Sequence, residues 1–160
     1  MKTCVFAGTF DPVTKGHEAV VKTCLSLFDK VVIAVGVNAG KTPLFTKEER
    51  VQLVEKAFLG NDRVKVQTFD GLLVDFMKEN GYQINVRGLR NADDYKYETE
   101  MFIYNTDMYP DLKTIYIPSN KDSAYISSTA LRSLYGAGGD VSMYLPENIV
   151  ELAKEILKRK

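Results

Sequence analysis

Seven consecutive residues, Val31-Val32-Ile33-Ala34-Val35-Gly36-Val37, carry no polar side chain. Side chains along a strand point alternately to the two faces of its sheet, so this run has no face to offer to water. It needs cover on both sides. A chain of 160 residues is long enough to supply that cover from its own helices. Amphipathic helical patterns flank the run. Residues 16–28 place Val20, Cys24, Leu27 and Phe28 at helical spacing. Thr46 and Glu49 form a capping box, followed by Val51, Val54, Ala57 and Phe58 at intervals of three or four.

The pattern continues along the chain. Short apolar runs at residues 4–7, 64–68, 84–86 and 114–117 read as strands. Helical stretches separate them: one ending near the C-cap pair Asn80-Gly81, and one over residues 93–108, broken by Pro110. A third helix opens with hydroxyl caps at residues 127–129, and a last one starts at Pro146-Glu147, burying Ile149, Leu152, Ala153 and Ile156. The glycines between, residues 136–139, read as a flexible break and, since they follow a helix, as a turn. Strand–helix alternation predicts an α/β fold: a Rossmann-like, doubly wound parallel sheet of about five strands, with C-terminal helices. One domain over residues 1–160 is expected. In such sheets ligands bind beyond the carboxyl ends of the strands, where the winding reverses. The loops after the first and fourth strands carry the densest polar chemistry, and Arg87-Gly88-Leu89-Arg90 falls in the second of them.

The first of those loops is Gly8-Thr9-Phe10-Asp11-Pro12-Val13-Thr14-Lys15-Gly16-His17, which joins a strand to a helix. Gly8 would let a ligand approach the backbone. The helix N-terminus offers free N–H groups and a positive dipole end, both suited to a phosphate. His17, the single histidine of the chain, adds a side-chain donor there. Other phosphate motifs fail. Gly40-Lys41-Thr42 resembles the end of a phosphate-binding loop, but Gly36 and Gly40 enclose three residues where that loop needs four. Pro43 also disfavours a helix at Thr42. No Cys/His spacing suggests zinc, and Cys4 and Cys24 read as reduced core residues. Formal net charge is zero, which argues against a nucleic-acid-coating or membrane-surface protein. No run approaches the length of a membrane span, and the chain enters its first strand without a visible signal peptide, so a cytoplasmic setting is expected.

Thr14-Lys15-Gly16-His17 resembles the T/H-x-G-H signature of the nucleotidyltransferase superfamily. Ile126-Ser127-Ser128-Thr129 with Arg132 resembles its second signature, at another helix start. Three more blocks are similar to the phosphopantetheine adenylyltransferase family within it. They are Lys41-Thr42-Pro43-Leu44-Phe45-Thr46 with Glu48-Glu49-Arg50; Arg87-Gly88-Leu89-Arg90 with Asp94-Tyr95 and Tyr97-Glu98; and Gly139-Asp140-Val141 with Leu145-Pro146. The likeness spans nearly the whole chain, in order. Ser123 departs from it, standing where the family often has an aromatic, and Asn91-Ala92 has no role in it.

The resemblance implies transfer of an adenylyl group from ATP to 4′-phosphopantetheine, giving dephospho-CoA and diphosphate. His17 would stabilise the transition state at the α-phosphate. Thr9, Lys41, Arg87 and Arg90 complete the expected catalytic set, with Thr9 and the Phe10 N–H holding phosphates. Gly88, Leu89, Arg90, Glu98 and the loop of Ser123, Ala124, Tyr125, Ile126, Ser127, Ser128 and Thr129 would hold ATP. Thr9, Lys41, Arg87, Leu73 and Asn105 would hold phosphopantetheine. Mg²⁺ would ride on the ATP phosphates, with no protein metal site. A homohexamer and feedback by coenzyme A are implied in the same way. The rival expectations are an adenylyltransferase for a nicotinate nucleotide or a polar alcohol phosphate, and a non-catalytic nucleotide sensor.

Overall fold

The computed structural model describes residues 1–37 and 42–160. Five strands form one sheet: β1 (Thr3–Gly8), β2 (Lys30–Val35), β3 (Val64–Thr68), β4 (Ile84–Leu89) and β5 (Lys113–Pro118). Their order is β3-β2-β1-β4-β5, and every pair is parallel. Six α-helices join them: α1 (Lys15–Leu27), α2 (Lys47–Ala57), α3 (Leu73–Glu79), α4 (Ala92–Met108), α5 (Ser128–Gly136) and α6 (Val150–Leu157).

The apolar run behaves as its composition demands. Val31, Ile33 and Val35 enter one core with Cys4 and Phe6, covered by Val20, Val21 and Cys24 of α1, Leu53 and Val54 of α2, and Ala153 and Ile156 of α6. Val32 and Ala34 point the other way, with Val5 and Ala7, onto Val74, Phe76 and Met77 of α3. Burying each such aliphatic side chain contributes about 1.5–3 kcal/mol, so the two central strands anchor both layers.

The second layer is thinner. α4 has no buried residue. Tyr97, Tyr104 and Met108 lie seven and four apart on it, one stripe of the helix, and all three are exposed. No described helix is long and apolar enough to cross a membrane.

Several expectations need correction. β2 stops at Val35, leaving Val37 exposed. Leu27 is exposed as well: α1 ends there, the chain turns extended at Phe28, and Phe28 packs on the core instead. The buried stripe of α2 is Arg50, Leu53, Val54 and Ala57, with Val51 and Phe58 only half-buried. Arg87, Gly88 and Leu89 are not loop residues; the β4 ladder continues through them opposite Tyr116, Ile117 and Pro118. Asn91, given no role, caps α4 by accepting the Asp94 N–H at 2.9 Å. The glycine stretch is a hydrogen-bonded turn closing α5, with Gly138 N–H on Tyr135 O and Gly139 N–H on Leu134 O, both at 2.9 Å. The last helix begins as a 3₁₀ turn, Glu147–Ile149, and Leu152 is half-buried.

Candidate active site

β1 and β4 lie side by side, and the sheet reverses its winding between them. A cavity of about 390 Å³ opens beyond their carboxyl ends. Three walls enclose it.

The loop after β1 and the start of α1 make the first wall. Phe10 sits in the left-handed region at φ 51°. That conformation costs a bulky residue about 1–3 kcal/mol. Burial of its ring offsets the cost: it packs edge-on against Phe6 at 5.5 Å and lies 4.8 Å from the His17 ring. This also explains Gly8, since a Cβ there would lie 3.2 Å from the Phe10 ring. The glycine makes room for a phenyl group, and it also lines the cavity.

Thr14 caps α1. Its Oγ1 accepts the His17 backbone N–H at 3.3 Å, and His17 Nδ1 accepts the Thr14 N–H at 3.0 Å. A nitrogen that accepts carries no proton, so the neutral ring keeps its proton on Nε2. Burial, then the positive charges of Arg90 and Arg87, push the His17 pKa from 6.5 to about 4. At neutral pH His17 therefore lines the cavity as an uncharged ring with one N–H to donate. Thr14 Oγ1 is also 3.0 Å from Nδ1, but it is committed to the cap and buried, so the pair is not a substrate-facing nucleophile and base.

The start of α5 makes the second wall. Ser127 caps it by accepting the Ala130 N–H at 3.0 Å. Ser128 Oγ donates to Pro12 O at 2.9 Å, and Arg132 Nη1 donates to Asp11 O at 2.8 Å, so the helix is tied to the first loop. The start of α1 lies close to the segment before α5: a Cβ at Gly16 would meet Ser123 O and Ile126 O at 3.7 Å, an ordinary contact distance. Two positive dipole ends thus meet at one cavity, a setting that favours an anion.

β4 and α4 supply the third wall and its charge. Arg87 gives Nε and Nη2 to Glu98 Oε1 at 2.9 and 2.7 Å, and Nη1 to Ala7 O at 2.6 Å. Arg90 forms a two-bond fork on Asp94, at 2.9 and 3.0 Å. Burial alone would raise the Asp94 pKa, but the hydrogen bonds from Arg90 outweigh it and hold the carboxyl below its usual range. Both guanidinium groups are therefore oriented before any ligand arrives.

Of the residues the sequence nominated, Thr9, Phe10, His17, Arg87, Gly88, Arg90 and Glu98 line the cavity, as do Ser123, Ile126, Ser127, Ser128 and Thr129. Leu89, Ala124 and Tyr125 do not, and Tyr125 is exposed against Tyr144. Leu73 packs on the α3 core and Asn105 is half-buried on α4, both outside the lining. Lys41 lies outside the described residues. Ser123, lacking the aromatic, is buried and donates its hydroxyl to Asn120 Oδ1 at 2.6 Å.

Sequence reasoning gave no role to Asp11 or Arg50. The buried Asp11 carboxylate accepts the Leu44 and Phe45 N–H groups at 2.9 and 2.8 Å, joining the first loop to the segment before α2. An acidic residue directly before Pro12, in the loop between the first strand and the first helix, was the available signal.

A cavity at the β1/β4 reversal, with two helix starts, a neutral histidine donor and two pre-oriented arginines, defines a nucleotidyltransferase site. Residues 5–134 match the Cytidylyltransferase-like family. The phosphopantetheine adenylyltransferase of Heliobacterium modesticaldum is 39% identical over 150 residues, covering 94% of this chain and 89% of that protein. That of Brucella anthropi is 44% identical over 151 residues, covering 91% and 92%. A crystal structure of a bifunctional NMN adenylyltransferase/ADP ribose pyrophosphatase from Francisella tularensis superposes with TM-score 0.76 at 19% identity, over 99% of this chain and 50% of that longer one, and shares the fold. The chain belongs to the Cytidylyltransferase-like family and, within it, to the phosphopantetheine adenylyltransferases.

Proposed function

We propose that this chain transfers the adenylyl group of ATP to 4′-phosphopantetheine, in the synthesis of coenzyme A. A phosphate oxygen of the acceptor attacks the α-phosphorus in line. The new P–O bond forms as the bond to diphosphate breaks, and the products are dephospho-CoA and diphosphate. The acceptor phosphate is already a nucleophile, so no general base is needed and no covalent enzyme intermediate forms. Catalysis reduces to alignment and charge stabilisation.

One observation carries the reading: a neutral Nε2–H donor at a helix start sits in the same cavity as the Arg87 and Arg90 guanidinium groups. His17 donates to the α-phosphate as charge develops there. Thr9 and the Phe10 N–H hold phosphates of both substrates. Arg87 and Lys41 take the acceptor phosphate, and Arg90, Glu98, Gly88, Leu89 and the loop 123–129 take ATP. Leu73 and Asn105 receive the pantetheine arm as it extends out of the cavity.

No group of three or more His, Cys, Asp or Glu side chains that could hold a metal occurs among the described residues. The proposal therefore leaves Mg²⁺ to the ATP phosphates and water, where it offsets phosphate charge. A homohexamer belongs to the same proposal, supported by the uncovered stripe of α4. Coenzyme A and dephospho-CoA are its feedback ligand and product. Two free, buried cysteines fit a cytoplasmic setting.

Diphosphate release with ATP, Mg²⁺ and an acceptor panel is the test. Turnover with 4′-phosphopantetheine is expected. Turnover only with a nicotinate nucleotide, or ATP binding without any release, overturns the assignment.

A further inference from the structure

Arg50 is a cavity-lining cation that the mechanism above leaves unused. It sits on α2 with 2% of its surface exposed, yet its guanidinium reaches the cavity wall. Nη1 donates to Thr9 O at 2.6 Å and to Gly36 O at 2.7 Å, while the buried Nε has no hydrogen-bond partner among the described residues. The other arginines at the cavity each face a carboxylate: Arg87 on Glu98 at 2.7 Å, Arg90 on Asp94 at 2.9 Å and Arg132 by Asp11 at 3.8 Å. Among the described residues Arg50 has no carboxylate within ion-pair distance.

A buried charge without a counter-ion is costly, and two carbonyl dipoles offset only part of that cost. Burial pulls the Arg50 pKa below its ordinary value, while Asp11 and Glu48 oppose the shift; the guanidinium stays charged at neutral pH. Natural sequences place such a group where something arrives to complete it. A polyphosphate bound in the cavity is an anion of the right sign and location.

We propose that Arg50 is a positioning residue for the nucleotide triphosphate. Its Nη1 holds the Thr9 and Gly36 carbonyls together, fixing the loop whose Thr9 side chain and Phe10 N–H face the anion, and its unpaired charge supplies positive potential beneath them. The inference rests on the polyphosphate site assigned above.

Two variants separate charge from shape. Arg50→Lys keeps the charge and loses the reach and planar geometry of the guanidinium; Arg50→Gln keeps a donor and loses the charge. Both are titrated with ATP and with inorganic tripolyphosphate by calorimetry, using full-length chains whose folding is verified by thermal melting. Loss of a charge-assisted contact predicts about 10- to 100-fold weaker ATP binding for Arg50→Gln, with Arg50→Lys in between. A purely structural role would lower the melting temperature of both without this graded loss. Equal ATP affinity in the folded variants and the wild type overturns the proposal.

Should Arg50→Gln fail to fold, the wild type still decides. Its Arg50 Nε–H resonance, assigned by its absence from Arg50→Lys, is followed by NMR as ATP is added. A shift on ATP addition is expected, and an unmoved signal overturns the proposal. These arms read nucleotide binding without turnover. Activity on another acceptor therefore defeats the substrate assignment alone, and equal ATP affinity defeats the Arg50 role alone.

Discussion

Two helices in this molecule begin with the same reciprocal cap, and in one of them the third residue, His17, lines the candidate active site while in the other, Glu49, it does not. At α2, Thr46 accepts the Glu49 N–H and Glu49 reaches back to the Thr46 N–H at 2.8 Å. At α1, Thr14 does the same with His17 in the place of the glutamate. The local physics is identical: two orphan N–H groups are satisfied by two side chains. What differs is what the third residue has left over. Glu49, once bonded, holds Lys160 at 2.7 Å, a link within the fold. His17, once bonded, has spent Nδ1 and keeps a proton on Nε2. Capping therefore selects the tautomer, and a stability device becomes a donor of fixed orientation.

The largest effect should come from His17→Ala. Losing one transition-state donor costs on the order of 10²–10³ in turnover, while circular dichroism and ATP affinity change little. Near-normal turnover in the diphosphate-release assay would remove the functional half of the comparison. Thr14→Ala is next. It takes away the cap and one neighbour of the imidazole, so melting should report a loss of about 1 kcal/mol and steady-state assays a further fivefold fall in kcat, about another 1 kcal/mol. Thr46→Ala is the control. It should lose about 1 kcal/mol of stability, a few degrees in Tm, with kcat unchanged; a matching fall in kcat would show that the two caps are not functionally distinct.

The last effect concerns pH, and within the working range it should be nil. Because His17 titrates at about 4 when folded and near 6.5 when unfolded, the unfolded chain binds its proton first as pH falls. The stability contributed by a neutral His17 is full above 6.5 and is lost progressively towards 4. Wild-type and His17→Gln melting temperatures should therefore diverge across that window and run parallel from pH 6.5 to 8. Turnover should likewise show no histidine inflection between pH 6.5 and 8. An inflection there would mean that the ring charges within the working range.

The strands and the α2 cap were legible because their signals are local: an apolar run, or a threonine followed three residues later by a glutamate. The α1 cap was not read, because its third residue is a histidine rather than the expected Glu or Gln. The meeting of the first and fourth strand ends was legible from topology rules alone. The rest depended on distant partners. Arg50 reads in sequence as one more charge in a polar first turn, Lys47-Glu48-Glu49-Arg50. Its burial depends on carbonyls 41 and 14 residues away, which only the assembled sheet brings within reach. Arg87 and Gly88 lack an apolar pattern, so nothing local marks them as strand; their partners on β5 do. Leu73 and Asn105 came from resemblance, and resemblance does not carry the distance from a cavity wall.

Glu98 and Asp94 have a consequence for which anions can enter. Before any substrate binds, each carboxylate already occupies the guanidinium it faces. A chloride or a lone carboxylate offers those arginines nothing better than the neighbour they have. A phosphate dianion brings more charge and three oxygens, enough to share or displace the resident partner. On the proposed function, the pocket screens its visitors by valence before shape has any say, and it does so with acidic residues in a site proposed for anions.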